Sequence, residues 1–177
     1  MIRTLLLPLL LLGAAGCERP AAGERAAYPA LTGRVVDQAD LLTAGQEAAL
    51  SRKSEALEAE VGPQYVVVTI ESLGGRPIEE FAAGLGRHWG LGHSDRDDGL
   101  LLLVAPAERK VRIAVGTGLE RRVTDPFAAK VIDEQLLPRF RQNDFPTGIE
   151  AASDALIERL RSKASDSEIA RADGAVT

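Results

Sequence analysis

Two apolar runs limit what this chain can fold into. Residues 65–70 are mostly β-branched, residues 100–104 are apolar throughout, and both runs have the length of a strand. Neither run alternates with polar residues, so we expect both strands to be covered on two faces. Gly74, Gly75 and Pro77 turn the chain between them into a helical segment over 78–89. A strand–helix–strand connection of this kind places the two strands parallel, with a right-handed crossover.

The flanking segments complete an α/β domain. A short strand is predicted at 34–36, and Thr43 with Gln46 forms a capping box that opens a helix of roughly 18 residues. A short polar connection joins 100–104 to 111–115, which predicts an antiparallel hairpin. Two more helices are expected, one from an N-cap at Asp125 towards Phe140 and one over 145–163. We predict one domain over 34–163, a three-layer α/β/α sandwich with a Rossmann-like mixed sheet.

The N-terminus has the pattern of an export signal. A charged start precedes an apolar run at 5–12 and small residues up to Cys17, the sole cysteine. We interpret 1–16 as a lipoprotein signal peptide, Cys17 as the lipidated first residue, and 17–33 as a lipid-anchored tether. An ordinary secreted protein with a stray thiol is the alternative. Residues 164–177 are small and polar and are predicted to be a disordered tail.

Charge narrows the choice of partners. The net charge is −5 and becomes −6 once Arg3 leaves with the signal. An acidic chain is a poor ligand for nucleic acid, and it has no electrostatic attraction to anionic lipid. We therefore expect a monomer held to the membrane by its lipid, facing the periplasm or the cell exterior. Glu18 after Cys17 favours the outer membrane where a cell has two.

Acidic residues cluster around the predicted hairpin. Asp97 and Asp98 precede strand 100–104, while Glu120 and Asp125 follow strand 111–115. Because these strands run antiparallel, both groups belong to one end of the pair. Carboxylates, together with carbonyls brought close by glycines, suit a hard cation such as Ca²⁺. The alternatives are that Asp125 is only an N-cap and that 95–99 is only a solvated turn.

Other kinds of site are not apparent in the sequence. It contains no phosphate-binding Gly-rich loop, no Gly-x-Ser-x-Gly elbow, no EF-hand spacing and no His/Cys cluster for zinc. His88 and His93 are five positions apart, and we expect structural or surface roles for them. No catalytic residue can be named.

An ordered series of motifs resembles the TPM domain family. It runs over about 34–162 and includes Trp89-Gly90-Leu91-Gly92, the stretch 97–103 and the stretch 115–120, together with 137–140 before 145–149. The resemblance implies a Rossmann-like sandwich outside the cytoplasm that often binds Ca²⁺ through acidic loops. It carries the metal role onto Asp97, Asp98, Glu120 and Asp125, and more weakly onto Asp37.

The resemblance leaves two functions open. The first is a Ca²⁺-binding accessory or assembly module for a membrane protein complex. The second is a metal-assisted acid phosphatase acting on phosphomonoesters, an activity reported for some family members. Many bacterial relatives carry a C-terminal membrane helix or glycine-rich tail, for which the lipid on Cys17 would substitute here.

Overall fold

Four strands form one mixed sheet in the computed structural model, which describes residues 28–162. The strands are β1 (Val35–Asp37), β2 (Gln64–Thr69), β3 (Gly99–Ala105) and β4 (Lys110–Val115), and they lie side by side in chain order. β1, β2 and β3 are parallel, whereas β4 pairs antiparallel with β3. The predicted short first strand, parallel pair and hairpin are all confirmed.

Helices connect and cover the strands. They are α1 (Ala44–Val61), α2 (Ile78–Trp89), α3 (Asp125–Val131), α4 (Leu137–Phe140) and α5 (Phe145–Arg161). A capping box of Thr43 and Gln46 starts α1, as predicted. The helix predicted from Asp125 towards Phe140 is confirmed as one helical stretch, in which a π-helical turn at Ile132–Leu136 lies between α3 and α4. A single 3-10 turn, Thr117–Leu119, follows β4.

The sheet has an apolar layer on each face, which explains the uninterrupted apolar runs. Val67 and Leu102 belong to a core shared with helices α1, α3 and α5. Their neighbours Val66 and Leu101 belong to a second core shared with α2. Successive strand side chains point to opposite faces, so both faces need apolar residues when helices cover both. The predicted three-layer sandwich is confirmed.

The residues just before β1 pack on α2. The ring of Tyr28 makes an edge contact with Phe81 at 5.2 Å between centroids, and Trp89 Nε1 donates a hydrogen bond of 2.8 Å to the Pro29 carbonyl. Part of the predicted tether over 17–33 is therefore attached to the domain. Cys17, the predicted signal peptide and the predicted tail over 164–177 lie outside the described residues. Within 28–162, no helix combines the length and apolar character that a membrane crossing requires.

Candidate functional site

Two loops meet at one end of the β3–β4 hairpin, where the sequence predicted a site. The loop 91–98 enters β3, and the segment 116–124 leaves β4. The Gly116 amide donates to the Gly99 carbonyl at 2.8 Å, and the Gly118 amide donates to the Asp97 carbonyl at 3.2 Å. The backbone of each loop is thus fixed against the other.

Glycine makes this contact possible. A Cβ on Gly116 would collide with the carbonyl oxygen of Asp97, and one on Gly118 would collide with that of Arg96. A Cβ on Gly99 would lie 2.5 Å from the Leu91 carbonyl oxygen, closer than real Cβ atoms come. The glycines therefore bring backbone against backbone, and the carbonyls of 96 and 97 are directed at the neighbouring loop.

Asp98 is the buried centre of the loop entering β3. Its residue is 5% exposed, and its Oδ1 accepts a hydrogen bond of 2.8 Å from the His93 amide and lies 2.9 Å from His93 Nδ1. Its Oδ2 accepts a hydrogen bond of 2.8 Å from Arg96 Nε. Burial alone would raise the pKa of Asp98, but the bonds from His93 and Arg96 outweigh burial and lower the pKa below its usual range.

Asp97 has the opposite environment. It is exposed, its φ is 48°, and Thr117 Oγ1 donates a hydrogen bond of 3.1 Å to its Oδ2. Aspartate tolerates this left-handed backbone better than most residues. Asp97 borders a groove of 530 Å³ between α2 and the hairpin, and its carboxylate is accessible to solvent.

Glu120 and Asp125 line a separate depression of 440 Å³ together with Arg112. Both acidic residues are exposed. Thr124, and not Asp125, is the N-cap of α3, because the Thr124 side chain accepts a 3.4 Å hydrogen bond from the Phe127 amide. The interpretation of Asp125 as only an N-cap is therefore wrong, and its carboxylate is not needed to cap the helix.

Asp37 lies away from the other four acidic residues. It ends β1, at the opposite end of the parallel strands from Gly99. Its carboxylate accepts hydrogen bonds from the Leu41 amide at 3.2 Å, from the Leu42 amide at 2.7 Å and from the Thr69 hydroxyl. Asp37 therefore holds the β1–α1 connection and cannot share an ion with the hairpin residues.

The acidic side chains do not form a closed metal cage. Among residues 28–162, no group of three or more His, Cys, Asp or Glu side chains is placed to hold an ion. Asp98 does not fit as a ligand because both its oxygens are bound to His93 and Arg96. Asp97, Glu120 and Asp125 do fit in chemical type, since their carboxylates are exposed at the same end of the hairpin. We call these three exposed residues the acidic edge.

Sequence reasoning gave His93 only a general structural or surface role and did not single out Arg96. Arg96 forms an ion pair with Asp98, and His93 hydrogen-bonds to it, all within a loop of six residues. Their proximity in sequence to Asp98 was a usable signal, because a buried carboxylate needs a charged or hydrogen-bonding partner. That signal could not be interpreted until the structure showed that Asp98, and not Asp97, is the buried residue.

Comparison with known proteins assigns the family. Residues 35–159, from β1 into α5, match the family model described as the TPM domain. The chain belongs to the TPM domain family. The matched span contains every strand and the five acidic residues discussed above, so the acidic edge lies inside the TPM domain. No curated protein matches the chain in sequence.

Solved structures share the fold of this TPM domain. The N-terminal domain of a P. gingivalis protein is 32% identical, with a TM-score of 0.68, over 73% of this chain and 82% of that one. The N-terminal domain of the cg2496 protein of Corynebacterium glutamicum is 18% identical, with a TM-score of 0.59, over 75% of this chain and 82% of that one. The BA42 protein of Bizionia argentinensis is 21% identical, with a TM-score of 0.54, over 67% of this chain and 83% of that one. The last two likenesses concern the fold alone.

Proposed function

We propose that this TPM-domain protein is a lipid-anchored binding module outside the cytoplasm, which uses its acidic edge to engage a membrane protein complex. The supporting observation is the construction of that edge. Asp98 is buried and ion-paired, which fixes the loop, while Asp97 stays exposed on the same loop. A rigid loop that presents charge outward loses little conformational entropy when a partner binds.

Calcium is the cation that this proposal assigns to the acidic edge. Glu120 with Asp125, or Asp97 on the facing loop, would contribute carboxylate oxygens, and Ca²⁺ accepts six to eight oxygen ligands of flexible geometry. The remaining positions would be filled by water or by oxygens of the partner. A cation held jointly in this way would make partner binding depend on calcium.

The geometry favours binding over phosphomonoester hydrolysis. The hydrolase hypothesis needs Asp98 as a metal ligand, and both oxygens of Asp98 are bound by His93 and Arg96. Hydrolysis is tested with p-nitrophenyl phosphate. If the native chain released nitrophenol and Glu120→Gln/Asp125→Asn did not, the hydrolase hypothesis would be preferred to binding.

Calorimetric titration with calcium tests the acidic edge directly. We expect saturable binding by the full chain, and loss of that binding in Asp97→Asn/Glu120→Gln/Asp125→Asn. The matched control, Asp133→Asn/Glu134→Gln, changes two exposed acidic residues on the π-helical turn and should bind as the native chain does. A native chain that takes up no calcium, or a triple variant that binds equally well, would refute the calcium part of the proposal.

Capture from solubilised membranes tests the partner. The native chain should retain a defined set of membrane proteins when calcium is present, and the triple variant should not retain them.

Fractionation of cells tests the anchor. Cys17→Ser should move the protein out of the membrane fraction, because the residue that would carry the lipid is then absent. Unchanged membrane association of Cys17→Ser would show that the anchor lies elsewhere.

A further inference from the structure

A cavity at the other end of the hairpin has a different chemistry. It has a volume of 580 Å³ and lies between the β3–β4 turn and the α4–α5 connection. Its polar lining includes Arg109, Lys110, Arg141 and Asn143, and no carboxylate is among its lining residues. We call this cavity the basic pocket. In a chain of net charge −5, three cations around one acid-free cavity are a local reversal of charge.

The acidic residues next to these cations are bound elsewhere. Glu108 accepts hydrogen bonds of 2.8 Å from the Ser72 hydroxyl and from the Leu73 amide. Asp144 accepts a hydrogen bond of 3.3 Å from the Thr147 amide at the start of α5. Glu108 still interacts electrostatically with Lys110. Among the ion pairs of residues 28–162, none involves Arg109 or Arg141, so these two guanidinium groups are available to a bound anion.

The backbone at the mouth of the pocket adopts an unusual conformation. Arg109 has φ of 53° and Asn143 has φ of 59°, so two of the four non-glycine residues with positive φ in the described chain line this cavity. Asparagine is common at positions with positive φ, but arginine is not, and glycine would adopt the backbone of residue 109 without steric cost. A left-handed residue is common at the end of a hairpin turn, and here that conformation belongs to a cation that lines the cavity.

The rest of the lining is apolar. Phe140 and Phe145 contact each other with centroids 4.8 Å apart, and Leu137 and Val111 complete the wall. An aromatic wall beside guanidinium groups suits a ligand with an anionic end and an apolar body. Arginine also matches phosphate and carboxylate oxygens with two parallel donors.

We infer that the basic pocket binds a phosphate ester with an apolar body. Such a group could be carried by a small organic phosphate or by a phospholipid headgroup of the membrane. The inference is independent of the acidic edge, because the two sites lie at opposite ends of β3 and share no residue.

Calorimetric titration of the full chain with phenyl phosphate tests the pocket. We expect saturable binding that is tighter than for inorganic phosphate and that weakens as salt is raised. Arg109→Gly/Arg141→Gln should weaken phenyl phosphate binding about tenfold or more, since two charge-assisted contacts are lost. Arg109→Gly also suits the left-handed backbone, so the variant should melt no lower than the native chain.

Matched controls separate the pocket from general charge. Arg52→Gln/Lys130→Gln removes the same charge from exposed helix positions and should leave binding unchanged. No saturable binding by the native chain, equal binding by the pocket variant, or equal weakening in both variants would overturn the inference. Binding of inorganic phosphate as tight as that of phenyl phosphate would overturn its apolar part.

Vesicles distinguish the two sources of phosphate. The native chain and the pocket variant are sedimented with vesicles of phosphatidylcholine alone and with vesicles containing phosphatidylglycerol. The N-terminal segment is the same in both proteins, so a native preference for phosphatidylglycerol that the variant loses identifies the headgroup as ligand. Phenyl phosphate binding without that preference identifies a soluble phosphate instead, and absence of both responses refutes the pocket.

Discussion

At the scale of single residues, Asp97 and Asp98 show that position determines the role of a carboxylate. They are adjacent in sequence and identical in chemistry. Asp97 is exposed, whereas Asp98 is buried, with only 5% of its surface exposed, and is bonded to His93 and Arg96. A buried carboxylate is stable only when its charge is compensated. Asp98 is therefore structural, and Asp97 is the member of the pair that can meet a ligand.

Replacing Asp98 should cost stability. In Asp98→Asn the neutral amide loses the ion pair with Arg96, and we expect the free energy of unfolding to fall by about 2 kcal/mol. The cost is moderate because the Arg96 side chain is 50% exposed and can be rehydrated. Asp97→Asn, at an exposed site whose backbone suits asparagine, should change the free energy of unfolding by less than about 0.5 kcal/mol. Urea denaturation compares the two, and equal effects would contradict the assignment of Asp98.

Acid should remove the contribution of Asp98. Its pKa in the folded chain lies below the ordinary value of 3.8, so the stabilisation is complete above that pH and is lost as pH falls through the folded pKa. The difference in unfolding free energy between the native chain and Asp98→Asn should therefore shrink below about pH 4. Glu108 also has a lowered pKa, but it is present in both proteins and cancels in the comparison. A difference that stays constant down to pH 2 would contradict the prediction.

At the scale of elements, the site depends on two loops that touch through glycine. The amides of Gly116 and Gly118 are bonded to carbonyls of the facing loop, with no room for a side chain between them. The hairpin register brings the loops to the same end, and the missing Cβ atoms let them join. The acidic edge is therefore a property of the loop pair, and it should be lost when the loops separate.

Alanine at Gly116 tests the loop contact. Its Cβ would collide with the Asp97 carbonyl, and forced separation of packed backbone costs about 1–3 kcal/mol of unfolding free energy. Gly86→Ala is the matched control, since a Cβ there meets nothing within 4 Å and lies inside α2. The free energy of unfolding of Gly86→Ala should rise by up to about 1 kcal/mol, because alanine has a higher helix propensity than glycine. Thermal unfolding of both variants measures the contrast, and a Gly116→Ala protein as stable as the native chain would disprove the collision.

At the scale of the whole molecule, the sheet separates two kinds of charge. The acidic edge lies at the end of the hairpin formed by Gly99 and Val115, and the basic pocket lies at the end formed by Ala105 and Lys110. Tyr28 and Pro29 attach the chain to α2 shortly before β1. The route from the N-terminus into the domain is therefore held at a defined point, which a lipid on Cys17 would place near the membrane.

Fluorescence of the sole tryptophan can report this attachment. Trp89 Nε1 donates to the Pro29 carbonyl, and Tyr28 makes an edge contact with Phe81. The Arg76 guanidinium lies 4.5 Å from the centroid of the Tyr28 ring. In Tyr28→Ala the segment should detach, the Trp89 emission should shift to longer wavelength, and acrylamide quenching should increase. The control Leu31→Ala changes a residue that is 45% exposed and should leave the spectrum unchanged. An unshifted spectrum in Tyr28→Ala would show that Tyr28 does not hold the segment.

The elements and the family were predictable from sequence because they depend on local patterns. Apolar runs without alternation indicated covered strands, and Thr43 with Gln46 indicated the start of α1. The family followed from motifs spread over the whole domain. The end of the hairpin at which Asp97 and Glu120 lie was also predictable, because antiparallel pairing determines it.

Tertiary structure alone decided how the acidic residues are used. Burial depends on what packs against a side chain, so the sequence could not show that Asp98 is enclosed by His93 and Arg96. It could not show that Asp37 lies at the far end of the sheet from the others, or that Arg109 and Arg141 share one cavity. Each of these facts joins residues that are distant in sequence, or distinguishes neighbours of equal chemistry, and only the folded chain establishes such relations.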